Sequence, residues 1–78
     1  MSHVHNGGQG RCYQVARVIR LGIRLAQGWH SAADVYGKSE ADLKRFQRDL
    51  RSLERAGIPV MEEEHRYRVD AHFMRRFL

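Results

Sequence analysis

The segment "DLKRFQRDLRSLERAGIPV", residues 42–60, constrains the fold more than any other part of the chain. Its apolar residues fall on one side of a helix at about 100° per residue: Leu43, Phe46, Leu50 and Leu53. Most of its basic residues fall on the opposite side. Gly57 and Pro59 then stop the helix. We predict an amphipathic helix over residues 43–56, with Asp42 preferred over Ser39 as its N-cap.

Two more helices are predicted before this segment. Apolar residues recur at three- and four-residue steps after Arg11: Val15, Val18, Ile19, Ile23 and Ala26. This pattern predicts a first helix that ends before Gly28. Ser31 followed by Asp34 is typical of a capping box, and it predicts a short second helix over residues 32–38. Residues 1–10 contain three glycines and are predicted to be a flexible arm.

The chain after Pro59 predicts a hairpin and a short tail. Val60 and Met61 open one extended segment, and Tyr67 and Val69 alternate with arginines in the other. Residues 71–78, "AHFMRRFL", predict a helical turn that either packs on the first helix or makes a dimer contact. The expected fold is therefore α+β and mainly α: a three-helix winged helix-turn-helix over residues 11–70, with a two-stranded wing and a C-terminal tail.

Charge and composition favour a polyanionic partner. The 78 residues carry a formal net charge of +5 and leave room for one modest core. Cys12 has no cysteine partner in the chain, and no apolar run is long enough to span a bilayer. The N-terminus does not resemble a secretory signal. We expect a cytoplasmic, nucleoid-associated protein without a membrane contact.

The chain offers no pattern typical of a metal site or an enzyme. The spacings of its histidines and cysteine match no paired zinc ligands: His3, His5, Cys12, His65 and His72. No set of acid, base and nucleophile is apparent either. We therefore expect no catalytic residues, no metal and no cofactor.

The basic side of the third helix is the candidate DNA-binding surface. Residues near the start of such a helix meet base edges, where arginine pairs with guanine and glutamine with adenine. Cations further along are better placed for phosphates, as are the second helix's N-terminus and the hairpin tip. The predicted base-reading residues are Lys44, Arg45, Gln47 and Arg48. The predicted phosphate contacts are Arg51, Arg55, Ser31 and Arg66.

Several other residues have a structural interpretation. We expect Asp49 to pair with a nearby arginine and orient it. We expect Trp29, Tyr67 and Phe46 to belong to the core rather than to stack on bases. The acidic run Glu62–Glu64 would repel phosphates, so it should point away from a duplex or pair with arginines of the hairpin.

The stretch "FQRDLRSLERAGIPVMEEEHRYRV" resembles the N-terminal winged-helix domain of DeoR-type and WYL-domain bacterial transcriptional regulators. Those domains carry an Arg-Asp-Leu in the recognition helix, then Ala-Gly-Ile-Pro-Val, acidic residues and Tyr-Arg. The resemblance covers residues 11–69 and implies a winged helix that binds DNA. This chain departs from the family in the turn, at Glu40, Ala41 and Asp42. No effector site is carried over, because the ligand-sensing domain of these regulators lies outside the resemblance.

These expectations combine into one function and one alternative. The first is a sequence-specific double-stranded DNA-binding protein, a bacterial or phage transcriptional regulator that acts as a homodimer. The alternative is a winged-helix adaptor whose basic face binds an acidic protein partner.

Overall fold

The computed structural model describes the backbone of residues 2–77 and the side chains of residues 13–77. The elements, in chain order, are α1 (Ser2–Ala26), β1 (His30–Ser31), α2 (Ala32–Val35), α3 (Glu40–Arg55), β2 (Val60–Glu63), β3 (Arg66–Val69) and a 3₁₀ helix (Ala71–Phe77). The chain is an α+β protein, mainly helical, with a three-stranded antiparallel sheet. Within residues 2–77, no helix combines the length and the apolar character that crossing a bilayer requires.

Helix α1 begins earlier than predicted. It starts at Ser2, so residues 2–10, which the sequence predicts as an irregular arm, are helical. Extending an existing helix gains one backbone hydrogen bond per residue fixed, whereas starting a new helix is costly. The helix predicted from Arg11 can therefore continue backwards through a segment of poor helix formers.

The buried stripe of α1 differs from the predicted one. Leu21 and Leu25 are its most buried residues, and Val18 and Ile23 lie partly buried at its edges. Val15 was predicted to be buried but is 58 % exposed. The sequence of α1 contains two overlapping apolar stripes, and packing against α3 and the sheet selects the one centred on the leucines.

Two serines begin the next helices. Ser31 and Asp34 form the predicted capping box of α2, which is shorter than predicted and ends at Val35. The prediction of Asp42 as the N-cap of α3 is wrong: Ser39 is the cap, and its Oγ accepts a hydrogen bond from Asp42 N at 3.0 Å. Helix α3 therefore starts at Glu40, almost one turn before the predicted start.

The inner face of α3 carries most of the core. Phe46, Leu50 and Leu53 are buried as predicted, but Leu43 is 47 % exposed. The helix ends where predicted, because Gly57 adopts a φ of +86° and the next amide, Ile58 N, donates to Leu53 O at 3.0 Å.

The predicted hairpin is present, and a third strand extends it into a three-stranded sheet. Strands β2 and β3 pair in antiparallel register from Val60↔Val69 to Glu63↔Arg66. The two turn residues Glu64 and His65 have φ of 51° and 64°, the signs of a type I′ turn. Strand β1 was not predicted. It pairs with β3 on the side away from β2, so the sheet order is β1-β3-β2.

The C-terminal segment packs on its own chain. Met74 of the 3₁₀ helix is fully buried beside Gly22 of α1, where an added Cβ would lie 2.6 Å from the Met74 Cε. The absence of a side chain at Gly22 thus permits the close approach. The tail is packed on the first helix, which is one of its two predicted arrangements.

The three aromatic residues expected in the core divide into two groups. Phe46 is fully buried and makes edge contacts with the rings of Tyr36 and Tyr67, at centroid distances of 5.6 and 5.0 Å. Tyr67 is half-buried against it. The prediction for Trp29 is wrong, since this residue is 37 % exposed just before β1. It follows the end of α1 and borders the hairpin turn rather than facing α3.

Candidate nucleic-acid interface

The outer face of α3 carries a shallow surface depression of about 420 Å³. Its lining residues, which define what we call the α3 depression, are Leu43, Lys44, Gln47, Arg48 and Arg51. All five are exposed. Their spacing of one, three and four residues explains why one helical face brings them together.

The structure groups the predicted site residues into three places. Four of them line the α3 depression: Lys44, Gln47, Arg48 and Arg51. Arg45 and Arg55 are exposed on α3 but do not line it. Ser31 and Arg66 are neighbours across the β1-β3 pair, in the sheet rather than on α3. The β1-β3 pairing was not predicted. It brings together two predicted phosphate contacts, Ser31 at the start of α2 and Arg66 in the hairpin.

The start of α2 offers less to an anion than predicted. Ser31 N donates to Asp34 Oδ2, and Asp34 N donates to Ser31 Oγ, both at 3.1 Å. The backbone donor from Ser31 lowers the pKa of Asp34, with help from its side chain. The expected free N–H groups from Ser31 to Ala33 are thus partly occupied, and a charged carboxylate sits beside them. The Ser31 hydroxyl proton remains available as a donor.

The cations of α3 are almost free of protein partners. Lys44 Nζ lies 3.6 Å from Glu40 Oε1, and both side chains are largely exposed. Among the side chains of residues 13–77, no carboxylate forms an ion pair with the other basic residues of α3: Arg45, Arg48, Arg51 and Arg55. The outer face of α3 therefore presents positive charge that the described part of the chain does not neutralise.

The acidic run in the hairpin is exposed. Tyr67 Oη donates to Glu62 Oε2 at a long 3.5 Å, and Glu63 and Glu64 border a small depression with Trp29 and Arg66. Within the described side chains, the expected ion pairs between this run and the hairpin arginines do not form.

A buried carboxylate anchors the inner face of α3. Asp49 has no exposed surface and accepts hydrogen bonds from Arg17 Nε at 2.8 Å, Arg17 Nη2 at 3.1 Å and Tyr36 Oη at 2.5 Å. The bond to Asp49 raises the pKa of Arg17, and burial followed by the same carboxylate raises the pKa of Tyr36. The prediction that Asp49 pairs with an arginine is confirmed. The partner is Arg17 of α1, which is not among the apolar residues that predict the buried side of this helix.

The donor groups of the α3 depression are of kinds that can bind phosphate oxygens and base edges. Arginine and lysine donate to phosphate oxygens and to the guanine acceptors, and glutamine can donate to and accept from adenine. The depression is open, and the described residues 13–77 contain no three His, Cys, Asp or Glu side chains grouped to hold a metal ion.

Comparisons of the chain with models of known protein families, with curated proteins and with solved structures found no match. The resemblance to DeoR-type and WYL-domain regulators therefore rests on the sequence motifs alone.

Proposed function

We propose that the chain is a sequence-specific double-stranded DNA-binding protein that regulates transcription. In this proposal the fold acts as a winged helix-turn-helix, α3 lies in the major groove, and the β2-β3 hairpin is the wing. The observation that carries the proposal is the outer face of α3, where Lys44, Arg48 and Arg51 surround Gln47 in one open depression.

The dimensions and the polarity of α3 support this proposal. A helix of 16 residues is about 24 Å long, and the major groove, about 12 Å wide, admits one α-helix. The inner face carries Phe46, Leu50 and Leu53 into the core, so the opposite face is the part of α3 that is accessible to a partner. Its unneutralised cations match the charge of the phosphate backbone.

We propose base contacts for some of the predicted site residues and phosphate contacts for others. Gln47 and Arg48 lie in the depression and have side chains that can each make two hydrogen bonds to one base. Arg55, near the end of the helix, lies outside the depression and is better suited to a phosphate. Ser31 and Arg66, paired across the sheet, would form a second phosphate contact beside the wing.

The proposal includes a homodimer. One α3 reads few base pairs, and a two-fold pair of modules is the usual way to lengthen the recognised site. One side of the 3₁₀ helix is buried at Met74, whereas Phe73 of the same helix is 39 % exposed. This exposed side is the surface we assign to the second copy.

A second candidate function is an adaptor that binds an acidic protein. The exposed acidic run Glu62–Glu64 favours it, because carboxylates on the wing oppose a close approach to phosphates. The same α3 cations would then face the partner's carboxylates.

Selection of bound sequences from a random duplex pool, with the full chain, tests the proposal. The enriched duplex and shuffled versions are then titrated by fluorescence anisotropy at about 150 mM salt. A specific regulator binds the enriched duplex about 10³-fold or more tightly than shuffled duplexes. A homodimer also enriches two-fold symmetric half-sites.

Two variants test whether α3 is the surface that binds the duplex. Arg48→Ala removes a cation from the α3 depression, and Arg20→Ala removes an exposed one from α1. We expect the first to weaken binding and the second to leave it nearly unchanged. A pool without any enriched sequence, or binding that is equally weak to every duplex, contradicts the proposal and favours the adaptor.

A further inference from the structure

Leu43 occupies an unexpected place on α3. Its apolar spacing with Phe46 and Leu50 predicts burial, yet it is 47 % exposed and does not belong to the core cluster. Helix α3 starts at Glu40, and α2 ends at Val35 after a single turn. A partner helix this short leaves the first turns of α3 uncovered.

The surroundings of Leu43 are those of the proposed DNA-binding face. The side chain lines the α3 depression together with Lys44, Gln47, Arg48 and Arg51. Those four residues supply hydrogen-bond donors, and Leu43 supplies apolar surface among them. A single exposed leucine is ordinary on a protein surface. A leucine that shares one depression with four side chains suited to base edges and phosphates has a more specific explanation.

Base edges in the major groove include one apolar group. Thymine carries a C5-methyl group there, and apolar side chains recognise it by contact. We propose that Leu43 contacts the methyl group of a thymine and so determines base preference at one position of the recognised site. This inference rests on the proposed function and adds a specificity-determining residue to it.

Replacing thymine by uracil in the DNA tests the contact without altering the protein. Uracil lacks the C5-methyl group but keeps the same hydrogen-bonding groups. Each thymine of the enriched duplex is replaced in turn, and the dissociation constants of the wild-type chain and of Leu43→Ala are measured. Val15→Ala is the matched control, because Val15 is also an exposed apolar residue but lies on α1.

We expect one thymine position at which uracil weakens wild-type binding about fourfold, the effect of burying one methyl group. Leu43→Ala should bind the thymine and uracil duplexes at that position equally, whereas Val15→Ala should keep the fourfold difference. Circular dichroism should show the same helix content and thermal midpoint for Leu43→Ala and wild type, since alanine is a good helix former.

Two results would overturn the inference while leaving the proposed function intact. One is tight specific binding with no thymine position sensitive to uracil. The other is the same uracil effect in Leu43→Ala as in wild type, which would assign the methyl contact to another residue. Failure to enrich any sequence would instead remove the proposed function, and the role of Leu43 with it.

Discussion

The two faces of α3 differ in how their charged residues are buried and paired. On the inner face a single carboxylate, Asp49, has no exposed surface and accepts three hydrogen bonds from Arg17 and Tyr36. On the outer face five cations are exposed, and the ion pair found there among the described residues joins Lys44 to Glu40 at 3.6 Å.

This difference separates charge that is paired inside the fold from charge that is left exposed to solvent. A buried ion must be paired within the protein, because removing it from water costs several kcal/mol. Exposed cations remain hydrated in the free protein, so leaving them unpaired costs little. When a polyanion such as DNA approaches, such cations displace the counterions condensed on its phosphates. The inner face should therefore control stability, and the outer face should control affinity.

The largest expected effect comes from removing the inner cation. Arg17→Met leaves the Asp49 carboxylate buried with Tyr36 as its remaining partner, and this should lower the free energy of unfolding by about 3–5 kcal/mol. Small domains have about 5–15 kcal/mol in total, so the variant should be close to unfolding. Urea denaturation followed by circular dichroism measures the loss.

Two further variants control for this result. Arg20→Met removes an exposed arginine from the same helix and should change the free energy of unfolding by about 0.5 kcal/mol at most. The double variant Arg17→Met/Asp49→Leu should recover most of the lost stability, because an apolar pair leaves no buried charge. Equal stability of Arg17→Met and Arg20→Met would show that the buried pair does not control folding.

The next largest effect on stability concerns Tyr36. Tyr36→Phe removes one hydrogen bond to the buried carboxylate and should cost about 2 kcal/mol near neutral pH. Burial, then the bond to Asp49, holds the pKa of Tyr36 above the ordinary tyrosine value of about 10. Above that pH the unfolded chain releases this proton while the folded chain keeps it, so the stabilisation from Tyr36 is present below about pH 10 and declines above it.

Urea titrations of wild type and Tyr36→Phe between about pH 8 and about pH 11 check the pH dependence. The wild-type advantage should shrink as the pH rises, because the variant lacks the group that titrates. An advantage that stays constant over this range would mean that the pKa of Tyr36 is the same in both states.

Replacing arginines on the outer face should change the affinity for DNA but hardly change the free energy of unfolding. Arg48→Ala should change the free energy of unfolding by about 0.5 kcal/mol at most, yet weaken binding to the enriched duplex by about 1–3 kcal/mol. Arg55→Ala should weaken binding to enriched and shuffled duplexes alike, and lower the dependence of log affinity on log salt by about one unit. Equal losses of Arg48→Ala on both duplexes would reassign Arg48 to a phosphate.

The smallest effect is expected for the ion pair at the start of α3. Glu40→Gln should lower the free energy of unfolding by about 0.5 kcal/mol or less, since the pair with Lys44 is exposed and Glu40 lies in the first turn. Because the change removes a carboxylate beside the α3 depression, DNA affinity should rise. Titrations at low and at high salt test this, since screening should abolish both differences.

The sequence predicted those parts of the molecule that depend on local patterns. The apolar face of α3, the stop at Gly57, the capping box at Ser31 and the β2-β3 hairpin follow from spacing and from residue type over a few positions. The basic residues of α3 were likewise predicted to share one face, and three of them, Lys44, Arg48 and Arg51, line one depression.

What the sequence could not predict depends on residues far apart in the chain. Strand β1 is two residues long, and it is defined by pairing with Arg66 and Tyr67 rather than by any pattern of its own. Arg17 and Asp49 are 32 positions apart. A signal for their pairing exists, since Asp49 lies on the apolar side of α3, where an acidic residue needs a partner. That signal does not identify which arginine supplies it.

The bonds to Asp49 also fix the orientation of α3 about its own axis. The hydrophobic effect is non-directional, so it defines the rotation of a helix about its axis less sharply than hydrogen bonds do. Hydrogen bonds weaken steeply when their angles depart from linearity. Arg17 on α1 and Tyr36 beside α2 donate to the same carboxylate from two different places in the fold. Together these bonds oppose rotation of α3 about its axis. The rotational freedom of α3 about its axis is therefore lost during folding. Binding to a partner then does not have to restrict this rotation again.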